Sequence, residues 1–404
     1  MPVELLIEIC SYLDPVSLSC VCQVSRLFYE VAVSRLYQRI LIKEDQGSLF
    51  AARIDQKPAL ARCVRSMKIH YHRPWEVERR GERREEWGGK PRYAEAFSPV
   101  LARMDRLQTL SIKGCRYEDS YRDLQAGDEI PVILSEAWQL NESAKFHDLF
   151  LQSVSLPILT NLRKCELNFS DSKHWDLSLR DSIFLHPHHQ RLSLLGATIK
   201  DFCCFDESRR HSTSLEELSM RACDVPPTAF RKLLAVPRAL RQLNFTGVIS
   251  GMPRRGGQFR QQYVDAMQQQ AHSLKALTLT MPWDVQPSNP PLDFQSLSAL
   301  EDLTTTSLII GGDITGGWHA PEEHRFPSSL KHLRVWGVPG SITGHLEYCY
   351  VDAIRRWVAE GTLANLTSFT RSSVYDRTNI QVFFRPAGPR EHLARDERGP
   401  SRPS

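Results

Sequence analysis

The sequence predicts an α/β protein in two parts: three short helices, then an irregular solenoid in which short parallel strands alternate with helices and loops. Two observations carry this reading. Apolar residues recur at helical spacing through the first forty positions, punctuated by capping residues and a proline. Further on, the pattern Leu-x-x-Leu-x-Leu recurs, and from Leu162 its first positions fall at 162, 189, 215, 240, 274, 305 and 330. The steps are 27, 26, 25, 34, 31 and 25. Four of them lie within the roughly 20–29 residues usual for such repeats. The expected boundaries are 1–45 for the helical unit, 46–380 for the repeat unit and 381–404 for a disordered tail.

In the helical unit, Leu5, Leu6, Ile9 and Leu13 step by three and four residues and make one apolar stripe from about Val3 to Leu13. Asp14-Pro15 then suits a new helix start, because aspartate caps free backbone N–H groups and proline fits the first turn. Leu18, Val21 and Cys22 give that second helix a face. Ser25 suits a third cap, followed by Phe28, Tyr29, Ala32 and Val33. About forty residues bury little apolar surface by themselves. Such a trio therefore either caps a larger domain or offers its surplus apolar surface to a partner.

Pro2, Glu4-Leu5-Leu6, Ile9, Ser11-Tyr12-Leu13, Leu18, Val24-Ser25-Arg26, Phe28-Tyr29 and Leu36-Tyr37-Gln38-Arg39-Ile40 together resemble an F-box, particularly its fungal form. The resemblance covers about the first forty residues. It implies binding to the Skp adaptor of Skp–cullin–F-box ubiquitin ligases, with Pro2, Leu5, Ile9, Leu13, Leu18, Val24 and Phe28 as adaptor contacts or their immediate support. Met1 stands where the motif usually has leucine; methionine is apolar and adaptable, so binding is expected to survive.

In the repeat unit the clearest matches are Leu107/Leu110/Ile112, Leu215/Leu218/Met220, Leu240/Leu243/Phe245, Leu274/Leu277/Leu279 and Leu330/Leu333/Val335. Looser ones are Val64/Met67/Ile69, Leu162/Cys165/Leu167, His189/Leu192/Leu194 and Thr305/Leu308/Ile310. The last two apolar residues of each match alternate on a strand and point inward, and the residue between them points out. Cys115 and Cys223 extend two matches to Leu-x-x-Leu-x-Leu-x-x-Cys, which is similar to the cysteine-containing leucine-rich repeats often found after an F-box. Helices are expected at Ser143–Val154, Thr228–Val236, Phe259–Ala271 and Tyr350–Val358, the last placed to close the array.

Three segments fall outside the repeats. Residues 72–93 hold seven Arg/Lys and five Glu, with Trp75 and Trp87 near their ends. They read as an inserted solvated loop, or as a loop whose tryptophans anchor a partner. Pro282–Leu292 reads as a proline-rich loop, and Pro386–Ser404 has few apolar groups.

A metal-dependent enzyme would draw on His186-Pro187-His188-His189, the densest cluster of ligand types, with Asp181 nearby. His189, however, already fills a repeat position. No Gly-x-Ser-x-Gly, nucleotide-binding loop, dinucleotide fingerprint or His-Glu-x-x-His occurs, so no catalytic residue, cofactor or metal is assigned.

A net charge of +4 over 404 residues gives no compositional case for nucleic acid or an anionic membrane as partner. No run of eighteen apolar residues occurs. Glu4, Glu8 and Asp14 interrupt the opening stretch, so it is not expected to act as an export signal, and the ten cysteines are expected in the reducing cytoplasm or nucleus.

The expectation is a non-catalytic substrate receptor that joins the adaptor, and through it cullin and RING subunits, to a protein substrate. A non-degradative scaffold remains the alternative. The outward residues Ser111, Glu166, Ser193, Ser219, Asn244, Thr278 and Arg334 are the expected reading face.

Overall fold

The computed structural model describes residues 2–43, 46–70, 100–113, 158–168, 175–177, 181–202, 205–247, 257–280, 292–306, 325–336, 344–372 and 379–384. The three opening helices form where expected: α1 Val3–Tyr12, α2 Pro15–Val21 and α3 Arg26–Leu36. Asp14 caps α2 by accepting from Val16 N and Ser17 N, with Pro15 in the first turn. Ser25 caps α3 by accepting from Phe28 N. Leu6, Cys10, Leu18, Val31 and Ala32 form a small core of their own, backed by Leu13, Val21, Cys22, Phe28 and Leu36.

A twelve-stranded sheet follows. Its strands are β1 Arg39–Lys43, β2 Ser66–His70, β3 Thr109–Lys113, β4 Lys164–Asn168, β6 Arg191–Leu195, β8 Glu217–Cys223, β9 Gln242–Gly247, β10 Ala276–Thr280, β11 Asp302–Thr306, β12 His332–Trp336, β13 Ser368–Ser372 and β14 Asn379–Phe383. They lie side by side in chain order. Every pairing is parallel except β13 with β14, which is antiparallel. Strands β5 Trp175–Asp176 and β7 Ala197–Thr198 make a separate two-stranded sheet. Helix α4 Gly47–Gln56 lies between β1 and β2 in sequence, α5 Pro227–Ala235 between β8 and β9, α6 Gly257–Met267 between β9 and β10, and α7 Gly344–Ala359 between β12 and β13.

Parallel neighbours cannot be joined by a tight hairpin, so each strand needs a crossover, and all the crossovers share one elongated core. In most strands the two inward residues and the apolar residue before them fill that core, as at Leu215, Leu218 and Met220, or Leu240, Leu243 and Phe245. On the helical side Phe230, Phe245 and Tyr263 meet with ring centroids 4.8–5.3 Å apart. The Tyr263 hydroxyl donates to Val225 O at 2.6 Å. Below the strands a second ladder continues: Arg241 N donates to Glu216 O, Lys275 N to Arg241 O, Glu301 N to Lys275 O and Lys331 N to Glu301 O. Along this ladder Glu301 lies between Lys275 at 3.4 Å and Lys331 at 2.7 Å. These hydrogen bonds and lysine charges hold the Glu301 carboxyl below its ordinary range.

Several expectations need correction. Residues 39–43, grouped by sequence with the helical unit of 1–45, are the first strand of the sheet, and Ile42 sits in the sheet's core. The match at Thr305/Leu308/Ile310 is out of register: Leu300, Leu303 and Thr305 are the buried set, which moves that repeat's start from 305 to 300. Helix α7 does not close the array, because β13 and β14 follow it. A left-handed residue, Gly361 at φ +80°, ends that helix; Gly361 N donates to Val358 O and Thr362 N to Trp357 O, and the chain turns back toward β13. Of the tail expected from 381, residues 381–383 belong to β14 and pair with β13. The rest of that tail from 385 onward, the 72–93 insertion, Cys115, residues 282–291 and the helix expected at Ser143–Val154 lie outside the described residues.

Candidate partner-binding surfaces

Helix α1 is apolar on both sides, and only one side is used internally. Leu6 and Cys10 turn into the helical core, while Leu5 is 49% exposed, Ile9 48% and Tyr12 82%. Positions 5, 9 and 12 fall on one helical face because they step by four and three residues. Val3, Val16, Val24 and Leu27 are also exposed in the trio. Pro2 is exposed before the first turn of α1. Of the residues that the F-box resemblance singles out, Pro2, Leu5, Ile9 and Val24 are thus free to touch a partner. Leu18 is buried, and Leu13 and Phe28 pack against the same core, so these three support the surface from behind. Tyr12, Val16 and Leu27 are exposed members that sequence reasoning left out; helical spacing from Leu5 and Ile9 would have found Tyr12.

The second surface is the sheet's outward face. The seven expected reading residues stand in one line of registered neighbours: Ser111 beside Glu166, then Ser193, Ser219, Asn244 and Thr278, with Arg334 two strands beyond. Leu41 and Lys68 extend that line toward β1, and Thr304, Thr370 and Gln381 complete it to β14. Of the seven, Arg334 is exposed, Glu166, Ser193, Ser219, Asn244 and Thr278 are half-buried, and Ser111 is buried. Ser111 is only 2% exposed, and its hydroxyl donates to Glu166 Oε2 at 3.4 Å. Ser111 is therefore covered on this face, with its hydroxyl turned to Glu166.

Next to this line, Thr280 donates to Thr246 through their hydroxyls at 2.9 Å, and Trp336 is exposed on β12. The side-chain carbonyl oxygens of Asn168 and Asn244 are shielded from solvent and have no hydrogen-bond partner among the described residues. Buried polar atoms are normally paired, so a donor brought to this face would meet two acceptors already desolvated.

The histidine cluster sits elsewhere, in the turn leading into β6. His186 and His189 are buried and stack with ring centroids 4.1 Å apart. Burial lowers the His186 pKa to about 4, with the nearby His188 and Arg163 charges adding to the effect. His189 is pushed well below its ordinary range, first by burial and then by His186. Among the described residues no group of three His, Cys, Asp or Glu side chains is placed to hold a metal ion. Cys223 lies in the core with its thiol pKa raised to about 11 by burial, and Cys165 is raised further by the same cause. Neither thiol is set up as a nucleophile. Among the described residues no helix is long and apolar enough to cross a membrane.

The chain thus carries a small helical unit with an uncovered apolar face at one end of a long and mostly parallel sheet. Residues 1–43 match the F-box-like family, so the chain carries an F-box-like domain at its N-terminus. Domains of this kind typically bind Skp-type adaptors. No curated protein matches the chain.

Proposed function

We propose that this protein is the substrate-recognition subunit of a Skp–cullin–F-box ubiquitin ligase. The observation that carries the reading is the division of labour on α1. One side closes a private core, and the other leaves Leu5, Ile9 and Tyr12 in solvent within a stretch that matches an F-box-like domain. Exposed aliphatic and aromatic groups at helical spacing suit a groove on a partner, since each buried side chain of this size contributes roughly 1.5–3 kcal/mol.

We read the twelve-stranded sheet as an irregular leucine-rich-repeat solenoid that runs from β1 at 39–43 to β14 at 379–383, a little beyond the 46–380 expected from the sequence. Its outward face, including Glu166, Ser193, Ser219, Asn244, Thr278 and Arg334, would select the substrate. In this reading the protein itself is not an enzyme and works in the cytoplasm or nucleus. Cullin, RING and conjugating subunits supply the chemistry, and this chain supplies proximity by holding a substrate lysine near the charged conjugating enzyme.

Reconstitution with adaptor, cullin, RING subunit, conjugating enzyme and ubiquitin tests the assignment. Proteins held by the sheet should be ubiquitylated by the wild type and spared by a Leu5→Lys/Ile9→Lys variant that still holds them. Partners held and never modified by the complete wild-type assembly would instead make the protein a non-degradative scaffold.

A further inference from the structure

The outward positions of the twelve strands carry eight lysines and arginines against three carboxylates, although the whole chain has a net charge of only +4. The excess is not evenly spread. Arg39 and Lys43 on β1, Lys68 on β2, Lys113 on β3 and Lys164 on β4 are all exposed. Among the described residues none of the five makes an ion pair. Glu166, half-buried and held by Ser111, is the one carboxylate on the outward face of these four strands. Beyond β4 the outward cations are more widely spaced: Arg191 meets Glu217 at 3.1 Å, and Arg221 and Arg334 stand on β8 and β12.

We propose that the outward face of β1–β4 docks a carboxylate-rich, extended segment of a protein. The proposal deepens the receptor reading, on which it relies only for calling that segment part of a substrate. Strand spacing of about 4.8 Å and a rise of about 3.3 Å per residue spread the five cations over roughly 14 by 13 Å. An extended segment of about four or five residues spans that distance. The cations are mostly lysines set apart as single charges, with no pair of arginine forks to clasp one phosphate. Dispersed carboxylates match them better than a single phosphoryl group does. The outward residues of β1–β4 include no Phe, Tyr or Trp, so the stacking platform that single-stranded nucleic acid uses is missing there.

The test is fluorescence anisotropy on the full chain with a labelled twelve-residue Asp/Glu-rich peptide. A neutral peptide carrying one phosphoserine and a twelve-nucleotide single-stranded DNA run beside it. The acidic peptide should bind, and should weaken as salt rises from about 50 to about 300 mM. Lys43→Glu/Lys68→Glu/Lys113→Glu should cost on the order of tenfold or more. Arg231→Glu/Arg355→Glu, exposed positions on α5 and α7, should leave binding unchanged. All three lysines are exposed, and circular dichroism checks that the triple variant is folded. No binding of the acidic peptide, equal binding by the triple variant, or a preference for the phosphopeptide or the DNA overturns the proposal. The probe bypasses the adaptor, so its failure leaves adaptor docking untouched, and loss of adaptor docking leaves this result standing.

Discussion

Gln270 shows how much a single polar side chain can hold in a repeat core. It is buried in the short helix Gln268–Gln270 after α6; its Nε2 donates to Leu234 O and Pro237 O, and its Oε1 accepts from Leu240 N and Ser273 Oγ. One residue thereby satisfies the open end of α5 and the approach to β9. Gln270→Leu would keep the volume and orphan Leu234 O and Leu240 N, while Pro237 O keeps His211 Nδ1 at 3.2 Å. Each buried orphan costs about 1–3 kcal/mol, so the variant should lose at least about 2 kcal/mol by chemical denaturation. An unchanged midpoint would mean that water reaches these groups. Nothing in the sequence marks Gln270, since a run of three glutamines reads as solvent-facing. The Leu-x-x-Leu-x-Leu positions were legible because alternation on a strand leaves an inward residue little choice.

Among the elements, strands were legible and their limits less so. β11 was misplaced because its inward pair is Leu303 and Thr305, and a buried threonine hides the apolar pattern. β1 was absorbed into the helical unit because only Ile40 and Ile42 mark it, directly after α3. On α1 the periodicity revealed an apolar helix and could not tell its inner side from its outer one.

The turn from residue 186 into β6 supports a prediction at the same scale. His186 and His189 stay neutral in the fold, and both gain a proton readily once unfolded. Acidification from about pH 6.5 toward His186's folded value of about 4 therefore favours the unfolded chain, and the stability lost on acidification is present again above about 6.5. For His186 alone the loss by pH 5 is about 2 kcal/mol. His188 and Arg163 are the nearby charged or titrating groups that depress it. Denaturation at pH 7 and pH 5 should show the difference, and His186→Leu/His189→Leu should flatten it.

For the whole molecule, the two cores set the roles. The trio keeps a private core of Leu6, Cys10, Leu18, Val31 and Ala32, so its outer side can be altered without disturbing the sheet. It remains attached: Val33 and Tyr37 pack on the sheet's core, Lys57 Nζ donates to the Tyr29 hydroxyl at 3.2 Å, and β1 follows α3 directly. The basic outward patch thus begins on the strand closest in the chain to the three opening helices. The existence of two surfaces was legible from pattern and resemblance. The charge excess on one of them was not, because those cations come from four segments that the sequence separates by up to 125 residues, from Arg39 to Lys164, and only strand register brings them together.

The central claim is that the uncovered side of α1 docks a Skp-type adaptor, and co-purification of the two tests it most directly. Wild type should retain the adaptor. Leu5→Lys/Ile9→Lys should stay folded, because both side chains already stand about half in solvent, and should bind roughly a hundredfold more weakly or worse. A wild-type protein that fails to hold the adaptor, or a folded double variant that holds it equally well, would contradict the account.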